Sequence, residues 1–129
     1  MTSKSKKIKA VLVVDDEKGV CDILKKILLQ DGYEVCTATS GARALSLMKG
    51  KPADLILLDI KMPGMDGIET LRKLRDFNQD AVVIILTAYG TLGTAREAMQ
   101  LGAYDYITKP FNAEFVKSMV REGLEETRV

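Results

Sequence analysis

Histidine is missing altogether from this 129-residue chain. That absence excludes a Ser-His or Cys-His nucleophile pair, a His-containing zinc site and a phosphohistidine formed on this chain. Any metal must then be held mainly by oxygen. Cysteine is scarce as well: Cys21 and Cys36 lack CxxC spacing, and each lies in an apolar patterned segment, so both are expected as reduced, buried thiols. No hydrophobic run is long enough for a signal peptide or membrane span, since the lysine-rich MTSKSKKIK is followed by only AVLVV before two aspartates. Charge of one sign is also lacking. With 19 basic and 18 acidic residues the formal net charge is +1, which argues for neither a nucleic-acid nor a membrane partner. The expectation is a cytoplasmic protein whose residues 1–7 form a disordered basic leader.

What is present is enough apolar content, 47%, to build one core of its own. Apolar runs of strand length recur at Lys9 to Val14, Tyr33 to Ala38, Leu55 to Leu58, Val82 to Leu86 and Tyr104 to Ile107. Helical spacing lies between them, as in Val20, Ile23, Leu24, Ile27 and Leu28. Helix starts are marked by Ser40 and Asn112 as N-caps, and by Asp66 with Glu69 and Thr94 with Glu97 at capping-box spacing. Phe115, Met119 and Val120 supply the apolar face of the last helix, and Gly32, Gly50 and Gly102 fit left-handed helix ends. Five βα units, with the third and fourth strands aliphatic throughout, predict an α/β doubly wound parallel sheet covered on both faces.

Polar residues fall where such a strand ends: VLVVDDEKG, LILLDIKMPG, VVIILTAYG and YDYITKPF. Open α/β sheets bind ligands outside the carboxyl ends of their strands, so Asp15, Asp16, Asp59, Thr87 and Lys109 are predicted to share one crevice. Singly, most have plainer readings. Asp15 or Asp16 could cap the first helix, Asp66 caps the third, Thr87 could satisfy nearby backbone, and Lys109 could be a surface lysine. Asp59 is the exception, because Pro63 and Gly64 separate it from the next helix start. Three carboxylates in one pocket repel by about 3 kcal/mol per pair at roughly 5 Å and an effective dielectric near 20. Lys109 offsets part of this, and a donor set of oxygens suits Mg²⁺ or Mn²⁺. Carboxylates, a hydroxyl, a lysine and a hard ion point to phosphoryl transfer with Asp59 as nucleophile.

On these residues the chain resembles the receiver domain of two-component response regulators, a CheY-like family, over practically its full length. The motifs are DD after the first strand, D-x-K-M-P-G-M-D-G after the third, T-A ending the fourth and K-P after the fifth. TAYG and AREAMQLGAYDYITKPF bring it nearest to NtrC-type receivers. The resemblance implies a five-stranded sheet in the order 2-1-3-4-5 with five helices, a receiver domain over 8–126 and a tail at 127–129. It implies Asp59 as phosphoacceptor, with Mg²⁺ held by Asp16, Asp59 and the Lys61 backbone carbonyl, and Asp15 acting mostly through a bound water. Lys109 would pair with Asp59 and then with the phosphoryl group, and its bond to Pro110 would be cis. Thr87 and Tyr106 would be the switch pair, while Lys61 and Tyr89 occupy positions that set dephosphorylation rate.

The same resemblance implies a histidine kinase or histidine phosphotransfer protein as donor, docking near Lys18, Asp22 and Lys25. A downstream output domain or protein, transcription control among the outputs, would read the face made by the fourth helix, fifth strand and fifth helix. A homodimer through that face is a further expectation. The segment AYGTLGTAREAM opens with glycines costing about 1 kcal/mol each in a helix, which makes it cheap to rearrange. Two rivals fit less well. A haloacid dehalogenase-type phosphatase needs D-x-D-x-T where this chain has DDEKG, and a flavodoxin-like flavin site needs a Ser/Thr/Gly-rich first loop that the aspartates here would repel.

Overall fold

A computed structural model describes residues 8–88 and 92–126; the leader at 1–7, Tyr89 and the tail at 127–129, each given a role above, lie outside them. The elements alternate strictly: β1 Ala10–Val14, α1 Lys18–Leu29, β2 Glu34–Ala38, α2 Gly41–Gly50, β3 Leu55–Asp59, α3 Gly67–Phe77, β4 Val82–Ala88, α4 Leu92–Gln100, β5 Asp105–Lys109 and α5 Ala113–Glu126. All five strands pair in parallel in the order β2-β1-β3-β4-β5. The chain reverses direction across the sheet once, after β2, so right-handed crossovers send α1 to one face and α2, α3 and α4 to the other.

The two-residue period of a strand divides the core accordingly. Leu12, Val14, Ile56, Leu58, Val83 and Ile85 pack with Met48, Leu71, Leu74 and Ala98 on the α2-α3-α4 side. Val11, Val13, Leu55, Leu57, Ile84 and Leu86 pack with Leu24, Leu28, Val116 and Val120 on the α1-α5 side. Burial on both faces is why β3 and β4 carry no polar alternation. Among the described residues no helix is long and apolar enough to cross a membrane.

Several local expectations change. Along α1 the inward stripe runs through Cys21, Leu24 and Leu28, while Ile23 is 54% exposed, because the helix is rotated so that the small thiol lies under the β1 end. Cys36 is exposed, not buried, since β2 is the sheet's edge strand. Ser40, Asp66 and Asn112 cap their helices, accepting from Arg43 N, Glu69 N and Phe115 N. Thr94 does not start a helix: α4 already begins at Leu92. On α5, Phe115 is 50% exposed and Val116 takes the buried place beside Met119 and Val120. Gly32 and Gly102 have positive φ, whereas Gly50 does not, being the last residue of α2 with an extended Lys51 after it.

Candidate functional site

Asp59 is the last residue of β3, the central strand, and pairs with Leu86. Its neighbour β1 stops at Val14, opposite Leu58, so Asp15 and Asp16 leave the sheet beside it. On the other side Thr87 and Ala88 pair with Thr108 and Lys109, which brings the β5 lysine to the same rim. Three strand ends thus deliver four side chains to one crevice, and the register of β4 brings Thr87 to the same rim. Carboxylate oxygens of Asp15, Asp16 and Asp59 lie within 4.8 Å of one another. Asp15 is fully buried, Asp59 is 5% exposed and Asp16 faces solvent.

Lys109 is the cation of this group. Its Nζ donates to Asp15 Oδ2 at 2.7 Å and stands 3.6 Å from Asp59 Oδ2. The ion pair with Asp59 that the family resemblance implies is present, as the longer of two, and the direct hydrogen bond goes to Asp15. A fully buried carboxylate needs a paired charge more than one at the rim does. Asp15 is further held by accepting from Glu17 N at 2.9 Å, and its own carbonyl accepts from the Cys21 thiol at 3.3 Å. Neither Asp15 nor Asp16 is the cap of α1, a place taken by Glu17 without a side-chain bond.

Asp59 is anchored on one oxygen, Oδ1, which accepts from Lys61 N at 3.1 Å. Burial first and the Asp15 charge second push its pKa up to about 6, against the opposing pull of Lys109 and the Lys61 N–H, with Asp16 adding to the rise. Burial would lower the Lys109 pKa, but the Asp15 hydrogen bond and the charges of Asp59 and Asp15 leave it raised. The leading causes differ: burial raises Asp59, whereas Lys109 is raised by its carboxylate neighbours against the effect of burial. Donor chemistry here is all oxygen, with two more negative charges than positive, which fits a hard divalent cation.

The loop from β3 to α3 is tied into the core by Ile60 and Met62, both buried, and turned by Gly64 at φ 72. Asp66 then caps α3, and Gly67 N returns a hydrogen bond to Ile60 O at 2.8 Å. Thr87 is buried and its Oγ1 donates to Ala88 O at 3.3 Å, while Tyr106 on the edge strand β5 is 36% exposed. The Lys109–Pro110 peptide bond is cis. Two features had no signal in the sequence: the thiol bond from Cys21 to the Asp15 carbonyl, and the close approach of Gly67 to β3.

The sequence family described as the response regulator receiver domain matches residues 11–121. The transcriptional regulatory protein ZraR of Klebsiella oxytoca is 43% identical over 119 residues, which are 92% of this chain but only 27% of that protein. Sporulation initiation phosphotransferase F of Bacillus subtilis (strain 168) is 38% identical over 114 residues, 88% of this chain and 92% of that protein. Among solved structures, NtrX from Brucella abortus has a TM-score of 0.90 at 31% identity, covering 95% of this chain and 28% of that one. A CheY-like receiver domain protein from Methanospirillum hungatei JF-1 has a TM-score of 0.89 at 33% identity, covering 94% and 97%.

Proposed function

Since the chain belongs to the response regulator receiver domain family, and so to phosphoryl-accepting signalling switches, we propose that Asp59 is its phosphoacceptor. One observation carries this reading: Asp59 ends the central strand at 5% exposure, backed by two other carboxylates and within 3.6 Å of Lys109. The donor is a phosphohistidine on a histidine kinase or histidine phosphotransfer protein, because this chain has no histidine. An oxygen of the Asp59 carboxylate forms the O–P bond while the donor P–N bond breaks. The bonding pair stays on the imidazole, which leaves neutral because its other nitrogen carries a proton.

At neutral pH the Asp59 nucleophile is already mostly deprotonated, so no separate base is required. Lys109 neutralises oxygens of the incoming group, and the Thr87 hydroxyl donates to one of them. Asp15, Asp16, Asp59 and the Lys61 carbonyl would hold Mg²⁺, or Mn²⁺ in its place. When bound, that ion supplies charge neutralisation for the phosphoryl oxygens. Attack of water on phosphorus later returns the carboxylate and inorganic phosphate, slowly, with Lys61 and Tyr89 tuning the rate. The protein thus catalyses its own modification and reversal and does not turn over a free substrate.

Thr87 moving to the phosphoryl group and Tyr106 turning inward couple the site to the α4-β5-α5 face. A downstream output domain or protein, or a second copy of the chain, reads that face. ZraR is named as a transcriptional regulator, and control of transcription through an attached domain is the output we favour. The test is intact mass after incubation with acetyl phosphate and Mg²⁺. One added phosphoryl group on the wild type and none on Asp59→Asn is expected; no addition, or equal addition to both, removes the reading.

A further inference from the structure

We infer that Gly67 is a positioning residue for phosphoryl transfer, its missing side chain setting where the Asp59 carboxylate stands relative to Asp15 and Lys109. The inference rests on Asp59 being the acceptor. Gly67 is the buried first residue of α3, and its N–H donates to Ile60 O at 2.8 Å. A Cβ there would overlap the Asp59 carbonyl oxygen and fall 2.6 Å from Ile60 Cα and 3.0 Å from Ile60 O. Every one of those atoms is backbone. A clash against a flexible side chain is relieved by rotation, but this one requires the end of β3 and the start of α3 to separate.

Neither body yields freely. Asp59 is held in the sheet by pairing with Leu86, and Ile60 N donates to Leu86 O at 3.1 Å. Helix α3 is held by the Asp66 cap and by Ile68, Leu71 and Leu74, all buried. Restoring ordinary contact means a relative shift of roughly 1 Å, on the scale at which misplacement of a reacting group costs about 100-fold in rate. The shift would act on the same short segment whose Lys61 N–H fixes Asp59 Oδ1.

Other glycines provide the contrast. A Cβ at Gly123 on α5 would have side chains as its three nearest neighbours, Val82 Cγ1 at 3.2 Å, Leu55 Cδ1 at 3.3 Å and Tyr104 Cδ2 at 3.6 Å, with Val82 and Leu55 starting their strands at the end of the sheet away from Asp59. Gly123→Ala therefore alters side-chain packing at the far end of the sheet without touching the crevice.

The experiment compares the rate of phosphorylation by acetyl phosphate at saturating Mg²⁺, per folded molecule, for wild type, Gly67→Ala and Gly123→Ala, with thermal melts of each. Gly67→Ala is expected to lose about tenfold or more in rate, while Gly123→Ala stays within about twofold of wild type whichever way its melting temperature moves. A Gly67→Ala rate within about twofold of wild type overturns the inference, and so does an equal loss in Gly123→Ala. Should Gly67→Ala be unfolded in buffer, the assay runs in an osmolyte such as trimethylamine oxide that favours the compact state. A variant that never folds even there makes Gly67 purely architectural and also overturns the inference. Absence of labelling in the wild type, by contrast, strikes at the role of Asp59 itself.

Discussion

At the scale of single residues, the crevice holds the Asp59 carboxylate in a costly state before any ion or phosphoryl group arrives. The Asp59 pKa stands near 6 in the fold against 3.8 for the ordinary group, so the native state binds this proton more tightly than the unfolded one. Stability from this group is greatest below about pH 4 and falls as pH rises to about 6, a cost of order 3 kcal/mol that persists above it. Asp59→Asn removes the charge, so the variant should unfold at higher urea than wild type at pH 7.5, with the gap shrinking toward pH 4. Urea titrations at both pH values check this, and an equal gap at both would refute the assigned cause. Lys109 has the opposite role. Replacing it by Met leaves the fully buried Asp15 without its 2.7 Å partner, and a loss of about 3–5 kcal/mol is expected for breaking a buried pair from one side. Saturating Mg²⁺ should recover part of that loss in Lys109→Met, measurable as a rise in the urea midpoint.

Among the elements, α4 combines a fixed end with a start that carries a glycine, Gly93. Its C-terminus closes with Ala103 N on Ala98 O and Gly102 N on Met99 O, a Schellman pattern, and Arg75 of α3 donates to Gly102 O at 3.0 Å and Ala81 O at 2.9 Å. Arg72 adds a 3.0 Å ion pair to Glu97, but both side chains are exposed, so it contributes little. Arg75→Met should loosen this end, seen as faster amide exchange at residues 98–103 with β3 unchanged; unchanged exchange at 98–103 would mean the guanidinium is no anchor. Phosphorylation, or a phosphate mimic, should alter exchange over residues 92–106 if α4 and β5 are the reading face, and an unaltered pattern would exclude them. Elements of this kind were readable where one physical requirement dominates: LILL and VVIIL, too short for helices and set in a βα alternation, read as strands buried on both faces, and Ser40, Asp66 and Asn112 read as caps. Helix rotation was not. Ile23 and Cys21, or Phe115 and Val116, differ by one or two positions on a helix, and only the packing of α1 and α5 on the sheet chooses between them. Thr94 failed as a start for a related reason, since capping-box spacing recurs inside helices wherever Thr and Glu stand three apart.

For the whole molecule, the sheet is a rigid frame that turns distant sequence positions into neighbours. Strand order reverses between β1 and β3, and the crevice lies outside the carboxyl ends at that switch point, where DD and Asp59 meet. The composition of the crevice was therefore legible from strand ends alone, because parallel register carries Asp15, Asp59, Thr87 and Lys109 to one rim. The ion pair of Lys109 with Asp59 was implied by the family resemblance, but its shorter hydrogen bond to Asp15 was not legible, since that depends on depth of burial, which spacing does not encode. On the proposed reading, this frame holds Asp59 in place for phosphorylation. The most direct measurement treats the acetyl phosphate-labelled protein with borohydride, which reduces an aspartyl phosphate to homoserine, and locates the change by peptide mass spectrometry. Homoserine at position 59 is the predicted result; homoserine at position 15 or 16, or at none, would rule out Asp59 as the phosphoacceptor.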